Sequence, residues 1–580
     1  MSRKEIPLSA ETIQPFDLEN LREKAAELNR KNRETYTTPF PKDPSRWVSY
    51  YQFEPRPIEL TPDGEVEGRV SSLMGSVFDF GFTRAVFAPQ YGKEGGPCFD
   101  PASLFFLELA AKVDGYPDYA SFCRDLNQQE LGRRYRELAG LGDRIPGEDD
   151  LSNFRTKVGS KAIDSLMAVF VGFFKDFGLI EGEFLSTDGQ LEPSNSRYKG
   201  CAYFCEGCRQ FSLQESDRQE LCQQLQDGAK RLQIVCPFPE VVQKVLQATT
   251  KKDKPHEPKV TLLAVEYLPE ESSETAGRRQ LAELLSLPEE QVPPLRITWS
   301  HLERGPQGEL LGSCPKVPSD LGARVGYHVD NQDPQKKERV FGYLHQKTTD
   351  INDELGLELP VGNSTYPANA NEGNHFEEHR SQVPIPFLPG QVQLLDGAYD
   401  QGPVYQKVRQ NGGVPIIAYN PRNENRSPEA FLERGYDQSG TPYAPCGRLC
   451  RSNGYDYQSD SRQYVCGLQC SPEEQKHCPH GQKVRGYSCR MSFKEHPRLI
   501  GPIQRGTEDW KVLYGARTAS ERTNSYDQEV ICKSRSPKLR GLKAFRFSGA
   551  IRTLAQLLRR ALTFVLDVTY TLGKLLPAPT

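Results

Sequence analysis

Two short apolar segments of this 580-residue chain end in the same way, on an aspartate followed directly by glycine. GEFLSTDG ends at Asp188 and VQLLDG ends at Asp396. Both have the composition of buried β-strands, and such segments are interspersed with helical ones, which predicts an α/β fold. Ligands of α/β sheets gather in the crevice outside strand ends, so both acids are candidate site residues. Because Asp-Gly is also a common turn signal, this pattern alone leaves a simple turn as the alternative.

A third acid belongs to a polar helix face near the C-terminus. Five polar residues of LYGARTASERTNSYDQEV recur at spacings of three and four, and they are Tyr514, Arg517, Glu521, Asn524 and Gln528. This spacing places all five on one side of a helix. A core face would be apolar, so two interpretations remain. One is a solvated surface with an Arg517–Glu521 ion pair, and the other is a helix that presents a carboxylate and an arginine to a metal or phosphate site.

The order of the three acids resembles that of the Asp-Asp-Glu (DDE) transposases of bacterial insertion sequences. Members of that family carry the glutamate in a Tyr-x2-Arg-x3-Glu-x6-Lys signature, which Tyr514, Arg517 and Glu521 match, whereas Gln528 stands at the lysine position. The N-terminal helical segments and GLKAFRFSGAIRTLAQLLRRAL near the C-terminus are also similar to helices of this family. The resemblance implies an α/β fold with an RNase H-like core, a helical N-terminal domain and two insertions, one of them a small zinc-ribbon-like module.

The resemblance also implies a reaction. Asp188, Asp396 and Glu521 would hold two Mg²⁺ or Mn²⁺ ions, with Asp188 bridging both, which suits hard cations that prefer oxygen ligands. Water would first cleave the transposon ends, and the freed 3′-hydroxyl would then attack target DNA. Arg517 would hold phosphate or orient Glu521, and Tyr514 would contact the DNA backbone. The implied partner is double-stranded DNA, bound by a homodimer.

Cysteines predict structural zinc. The stronger group has two pairs with the spacing of a tetrahedral thiolate site, Cys446-x3-Cys450-x15-Cys466-x3-Cys470. Cys478 and Cys489 follow it, and with a nearby histidine they are candidates for a second site. A weaker group consists of Cys201, Cys205 and Cys208. Buried free thiols are the alternative for both groups.

Charge and hydropathy indicate which partners and which cellular location to expect. The net charge is −4, yet residues 481–580 contain 19 basic and 7 acidic residues, a basic tail that is either a DNA-binding surface or a solvated helix face. The N-terminus lacks the apolar region of a signal peptide and no apolar run reaches the roughly 20 residues of a membrane helix, which predicts a cytoplasmic protein without a membrane partner. No phosphate-binding glycine loop is present, so no nucleotide cofactor is expected.

The expected organisation has six parts. They are a helical N-terminal domain for DNA binding or assembly (1–160), the core with the first Asp (161–200), a cysteine-bearing, Glu-rich insertion (201–325), the core with the second Asp (326–425), a zinc insertion (426–498), and the Glu helix with basic C-terminal helices (499–580). Two competing functions are a zinc-containing DNA-binding protein that has lost catalysis and a metal-dependent nuclease without strand transfer.

Overall fold

The computed structural model of the chain describes residues 9–57, 70–94, 96–196, 262–267, 295–300, 320, 322–329, 337–421, 424–425, 427–468, 470–533 and 538–575. The chain divides into two compact units. The first comprises Met1–Pro193, Tyr343–Lys538 and Leu542–Thr580, and the second comprises Ser194–Gly342 and Leu539–Gly541. The fold is mixed α/β, with a mixed sheet and many helices.

The first part of the chain is helical. Its α-helices are α1 (Ala10–Ile13), α2 (Leu18–Thr35), α3 (Val70–Val77), α4 (Thr83–Phe87), α5 (Pro101–Val113), α6 (Tyr119–Leu126), α7 (Gln129–Leu138) and α8 (Glu148–Asp176). Helix α5 is buried along its whole length, and Asp100 caps it by accepting a hydrogen bond from Ala102 N. Pro101 lacks the N–H that a first turn would leave unpaired, so it suits this position.

The strands of the main sheet are β1 (Phe184–Pro193), β4 (Arg324–Val329), β5 (Lys337–Asn352), β6 (Leu357–Pro367), β7 (Val392–Leu395) and β8 (Val414–Ile417). Their order is β4-β5-β1-β7-β8, and β6 also pairs with β5. Strands β1, β7 and β8 are parallel neighbours, whereas β5 and β6 form an antiparallel hairpin. The second unit also contains an antiparallel pair, β2 (Leu262–Tyr267) with β3 (Leu295–Ser300).

Further helices lie between these strands and after them in the chain. Helix α9 (Phe376–Gln382) precedes β7, and α10 (Gly402–Gln410) lies between β7 and β8. Helix α11 (Pro428–Arg434) precedes a three-stranded antiparallel sheet of β9 (Arg451–Asp456), β10 (Ser461–Val465) and β11 (Ser488–Ser492), and α12 (Pro472–His477) lies between β10 and β11 in the chain. Then follow α13 (Glu508–Gly515), α14 (Thr518–Tyr526), a π-helical segment (Asp527–Ile531) and α15 (Leu542–Leu575).

The long helix α15 joins the helical part of the chain to the sheet. It packs against β6, α8 and α5, and its buried face includes Leu554, Leu558 and Val565. Among the helices of the described residues, none is both long enough and apolar enough to cross a membrane.

Candidate active site

The first two predicted acids lie side by side because of strand register. In the parallel pair β1–β7, Thr187 is the partner of Leu395 at the last position of the pairing. Asp188 and Asp396 directly follow this pair in their two segments, so the backbone places them next to each other. The predicted end of the first strand at Asp188 is wrong, because β1 continues to Pro193. Asp396 does follow the end of β7, and it accepts a hydrogen bond from Ala398 N at 2.8 Å.

Glu521 comes from α14, and Arg517 connects it with Asp188. Arg517 Nη1 lies 3.8 Å from Asp188 Oδ1, and Arg517 Nη2 forms an ion pair with Glu521. Three residues along the helix from Glu521, Asn524 Nδ2 donates to Asp188 Oδ2 at 3.1 Å. Arg517 and Asn524 are largely buried, so this helix face packs on β1. The solvated-surface interpretation is therefore wrong for these two residues.

The expected single helix is divided in two. Helix α13 ends at Gly515 and α14 begins at Thr518, with Arg517 in the junction. Tyr514 stacks on Trp510 with ring centroids 4.6 Å apart, and the guanidinium of Arg517 lies 5.6 Å from the centre of the Tyr514 ring. Gln528 lies in the π-helical segment, beyond the end of α14. Tyr514 therefore supports Arg517 through its ring face.

The acids repel one another electrostatically. The pKa of Asp188 is raised to about 7, mainly by burial and then by the negative charge of Asp396 and Glu521, while Arg517 acts to lower it. Burial likewise raises the pKa of Asp396, against the hydrogen bond from Ala398. Buried like charges disfavour the ionised form, so a group that brings positive charge is favoured between these carboxylates. Arg517 supplies part of that charge in this structure.

A fourth acid, Glu372, lies at the same place and was missed by the sequence analysis. It begins a short 3₁₀-helix, Glu372–His375, just ahead of α9. A Cβ atom built on Gly189 would lie 2.5 Å from Glu372 Cδ, so this carboxyl group packs directly on the residue after Asp188. Burial raises the pKa of Glu372 to about 8, and Asp396 and Asp188 contribute to the increase. Its only local signal is an acid in the first turn of a helix, which is common in ordinary helices.

The chemistry of these acids suits a hard divalent cation, because every donor atom is a carboxylate oxygen. One of them, Glu372 Oε2, is buried without a hydrogen-bond partner in the described part of the chain. The side-chain positions are not those of a coordinated ion, since no three His, Cys, Asp or Glu side chains among the described residues form a metal-binding group. Arg517 instead contacts both Asp188 and Glu521.

Some of the predicted zinc ligands share one face of the small sheet. Tyr464 on β10 is opposite both Ser452 on β9 and Cys489 on β11. Side chains two residues apart on a strand point the same way, so Cys450 and Cys466 lie on the face of Cys489. Burial raises the pKa of Cys450 to about 12, and the neighbouring Cys489, Cys466 and Cys446 raise it too. We call Cys450, Cys466 and Cys489, together with the neighbouring Cys446 in the loop ahead of β9, the cysteine face.

The other predicted ligands lie elsewhere. Cys470 is beyond the end of β10, in the loop that precedes α12. The weaker group, Cys201, Cys205 and Cys208, lies outside the described residues. In the cysteine face, the backbone N–H of Tyr487 donates to Cys466 Sγ at 3.2 Å.

The basic tail uses several of its arginines inside the protein. Arg552 is fully buried and donates to Glu192 and Asp527. Arg560 lies 3.5 Å from Glu358 Oε2. Arg559 donates to the carbonyl of Val113 and to the hydroxyl of Tyr526 at 3.1 Å. The charge of these residues therefore contributes to packing of α15, and a sum of charges overstates the basic surface.

Searches against protein-family models, curated proteins and solved structures found no match for this chain.

Proposed function

We propose that this protein is a DDE-type DNA transposase that cleaves transposon ends and transfers the strands to target DNA in a metal-dependent reaction. The observation that carries the proposal is the convergence of Asp188, Asp396 and Glu521. They come from two strands and one helix that are far apart in sequence, and Arg517 and Asn524 connect the helix with Asp188. The resemblance of the sequence motifs independently selects the same three acids.

The sheet supports an RNase H-like core in this proposal. Strand β1 lies between β5 and the parallel strand β7, and β5 pairs in turn with β6. The glutamate helix α14 packs against β1. Asp188 on β1, Asp396 directly after the adjacent parallel strand β7, and Glu521 on the helix that packs against β1 would together present their carboxylates to a DNA backbone.

Each side chain has a role in the proposed reaction. Asp188, Asp396 and Glu521 would hold two Mg²⁺ or Mn²⁺ ions. When bound, these ions activate the attacking oxygen and stabilise the leaving oxygen. Arg517 neutralises Asp188 and Glu521, and its guanidinium is suited to hold a phosphate of the DNA. Asn524 orients Asp188 through its hydrogen bond, and Tyr514 positions Arg517.

Zinc would stabilise the small sheet. The cysteine face supplies four sulfur donors, and a thiolate set of this size suits tetrahedral zinc. We include Cys489 among the ligands because the strand register places it on the face of Cys450 and Cys466. The resemblance further leads us to propose double-stranded DNA as the partner, a homodimer as the active form, and the cytoplasm as the site of action.

The proposal is tested with purified protein, Mg²⁺ or Mn²⁺, and linear DNA that carries the gene with its natural flanks. Wild type and Asp396→Asn are compared for nicked and joined products on a denaturing gel, and DNA affinity is measured in parallel. We expect joined products with the wild type only, and similar DNA affinity for both proteins. Glu377→Gln, at an exposed acid outside the site, is the matched control and should join DNA normally.

Three other results would each contradict the proposal in a different way. Cleavage without joined products would indicate a nuclease. Binding without cleavage by the wild type would indicate a DNA-binding protein without catalysis. Loss of both binding and cleavage in Asp396→Asn would mean that Asp396 maintains the structure.

A further inference from the structure

The position of the Glu372 side chain is not explained by its place in the first turn of a helix. Its carboxyl group packs against Gly189, where a Cβ atom would lie 2.5, 2.6 and 2.7 Å from Cδ, Oε1 and Oε2. The φ angle of Gly189 is not positive, so the backbone there is open to any residue. The absence of a side chain at 189 therefore serves to make room for the carboxyl group of Glu372.

The carboxyl group has acids and one hydroxyl around it. Tyr399, which is fully buried, hydrogen-bonds to it, and Asp188 and Asp396 are its charged neighbours. Oε2 is buried and has no hydrogen-bond partner within the described residues. A buried carboxyl oxygen without a hydrogen-bond partner is costly, and a bound cation would remove that cost.

The structure fixes the segment that carries Glu372. Gln346 on β5 donates from Nε2 to the carbonyl of Glu372 at 3.2 Å and to the hydroxyl of Tyr399 at 3.0 Å. Asn371 caps the 3₁₀-helix and accepts from Gln401 Nε2 at 2.7 Å. These contacts hold both the backbone of Glu372 and the tyrosine that contacts its carboxyl group.

A second set of contacts ties α9 to β1. His379 on α9 hydrogen-bonds to Thr348 at 2.7 Å and to Ser364 at 2.5 Å. Thr348 in turn hydrogen-bonds to Thr187 at 2.8 Å, the residue before Asp188. The helix start that holds Glu372 is thus connected through side chains to the strand that holds Asp188.

We propose that Glu372 is a fourth carboxylate ligand of the divalent-cation site and binds a cation together with Asp188 and Asp396, an inference that rests on the proposed function. The site then has four acids, three of which belong to the sheet and the segment anchored to it. Glu521, which is half exposed and paired with Arg517, is the fourth. The ligand chemistry is that of an oxygen-preferring cation such as Mg²⁺ or Mn²⁺.

The test measures binding of Mn²⁺ alone to the full-length protein by isothermal titration calorimetry, without DNA. Glu372→Gln keeps the size of the side chain and its ability to hydrogen-bond with Tyr399 but removes the charge. We expect its Mn²⁺ affinity to fall at least tenfold, as for Asp188→Asn. Glu377→Gln, at an exposed acid on α9, is the matched control and should bind as the wild type does.

Gly189→Ala is a second variant that keeps all four acids. Its Cβ displaces only the end of a flexible side chain, so the protein should fold normally while the carboxyl group of Glu372 moves away. We expect a several-fold weaker Mn²⁺ affinity and an unchanged melting temperature without metal.

The outcomes separate this inference from the proposed function. If Asp188→Asn loses Mn²⁺ binding while Glu372→Gln and Gly189→Ala retain wild-type affinity, Glu372 is not a ligand and the three-acid site stands. If Asp188→Asn also binds as the wild type does, the cation site itself is elsewhere and the proposed function fails with it. A lower melting temperature of Glu372→Gln with unchanged affinity would assign Glu372 a purely structural role.

Discussion

Lys347 and Asp527 form an ion pair with an Nζ–Oδ2 distance of 2.9 Å, and each side chain is only 1% exposed. Lys347 lies on β5, and Asp527 begins the π-helical segment that follows the glutamate helix α14. Arg552 from α15 donates to the same Asp527 oxygen at 3.1 Å and also pairs with Glu192 on β1. One buried carboxylate thus joins β5, the π-helical segment and α15.

Asp527→Asn should destabilise the protein strongly. Burial alone would raise the pKa of Asp527, but Arg552 and Lys347 lower it below its usual range, so it is ionised and holds both cations. Removal of one partner of a buried pair leaves an uncompensated charge and costs about 3–5 kcal/mol. We expect a lower denaturation midpoint in urea. Glu508→Gln, which breaks an exposed pair with Lys511, is the control and should change stability by less than about 1 kcal/mol.

An unchanged midpoint for Asp527→Asn would show that the neighbouring groups compensate for the loss. Replacement of both charges, in Lys347→Met with Asp527→Leu, should be less harmful than the single change, because no unpaired lysine remains. A double variant as unstable as the single one would contradict this explanation.

Arg517→Gln should make the protein more dependent on divalent cations. Without the guanidinium, the partly buried carboxylate of Asp188 and that of Glu521 lose their shared counterion. In a metal-free buffer we expect a lower melting temperature, and a larger increase on addition of Mn²⁺ than in the wild type, because a ligand that binds the folded state stabilises it. Cleavage should fall about 100-fold if the arginine also holds phosphate in the reaction.

Arg522→Gln is the matched control for this prediction. Arg522 lies on α14, which begins directly after Arg517, but it pairs with Glu358 and is more than half exposed. Its loss should leave the effect of Mn²⁺ on the melting temperature as it is in the wild type. Equal effects of Mn²⁺ on both variants would mean that Arg517 does not balance the charge of the acids.

The sequence was sufficient to find the strand segments near Asp188 and Asp396 and the helical segment of Glu521. It did not give the end of β1, the break between α13 and α14, or the complete set of site residues. Asp396 was found because β7 is short and apolar up to the residue before it. Glu372 was missed because its place beside Gly189 depends on long-range packing and leaves only a helix-start pattern locally. Arg552 was counted in a basic tail, although its partner Glu192 lies 360 positions away and the pair is buried. A local sequence pattern shows the periodicity of a helix or a strand. These contacts depend instead on strand register and on packing between segments that are far apart in the sequence.

Cys450→Ser and Cys489→Ser should each lower the zinc content by roughly one equivalent and lower the melting temperature, because a structural zinc site contributes directly to folding free energy. Metal analysis of the purified protein measures the first effect, and thermal unfolding measures the second. Cys470→Ser discriminates between the ligand sets: it should retain zinc if Cys489 is the fourth ligand. Zinc unchanged in Cys450→Ser would remove the cysteine face as a zinc site.

Glu108→Gln should alter how stability depends on pH. Glu108 on α5 is 1% exposed and accepts a hydrogen bond from Tyr119, and burial raises its pKa to about 7 while Lys112 and Arg155 lower it. Between about pH 4.5 and pH 7 the folded state keeps a proton that the unfolded state has lost. Stability from this group is therefore present below about pH 4.5 and falls as the pH rises to about 7, by an amount on the order of 3 kcal/mol.

The measurement is the melting temperature of wild type and Glu108→Gln at pH 5, 6, 7 and 8. The other buried acids titrate in both proteins, so the difference isolates Glu108. We expect the melting temperature of the variant, relative to that of the wild type, to rise steadily up to pH 7 and to stay constant above it. Glu137→Gln, at an exposed acid paired with Arg133, should show almost no such trend. A difference between Glu108→Gln and wild type that is the same at every pH would mean that Glu108 is ionised in the folded protein throughout this range.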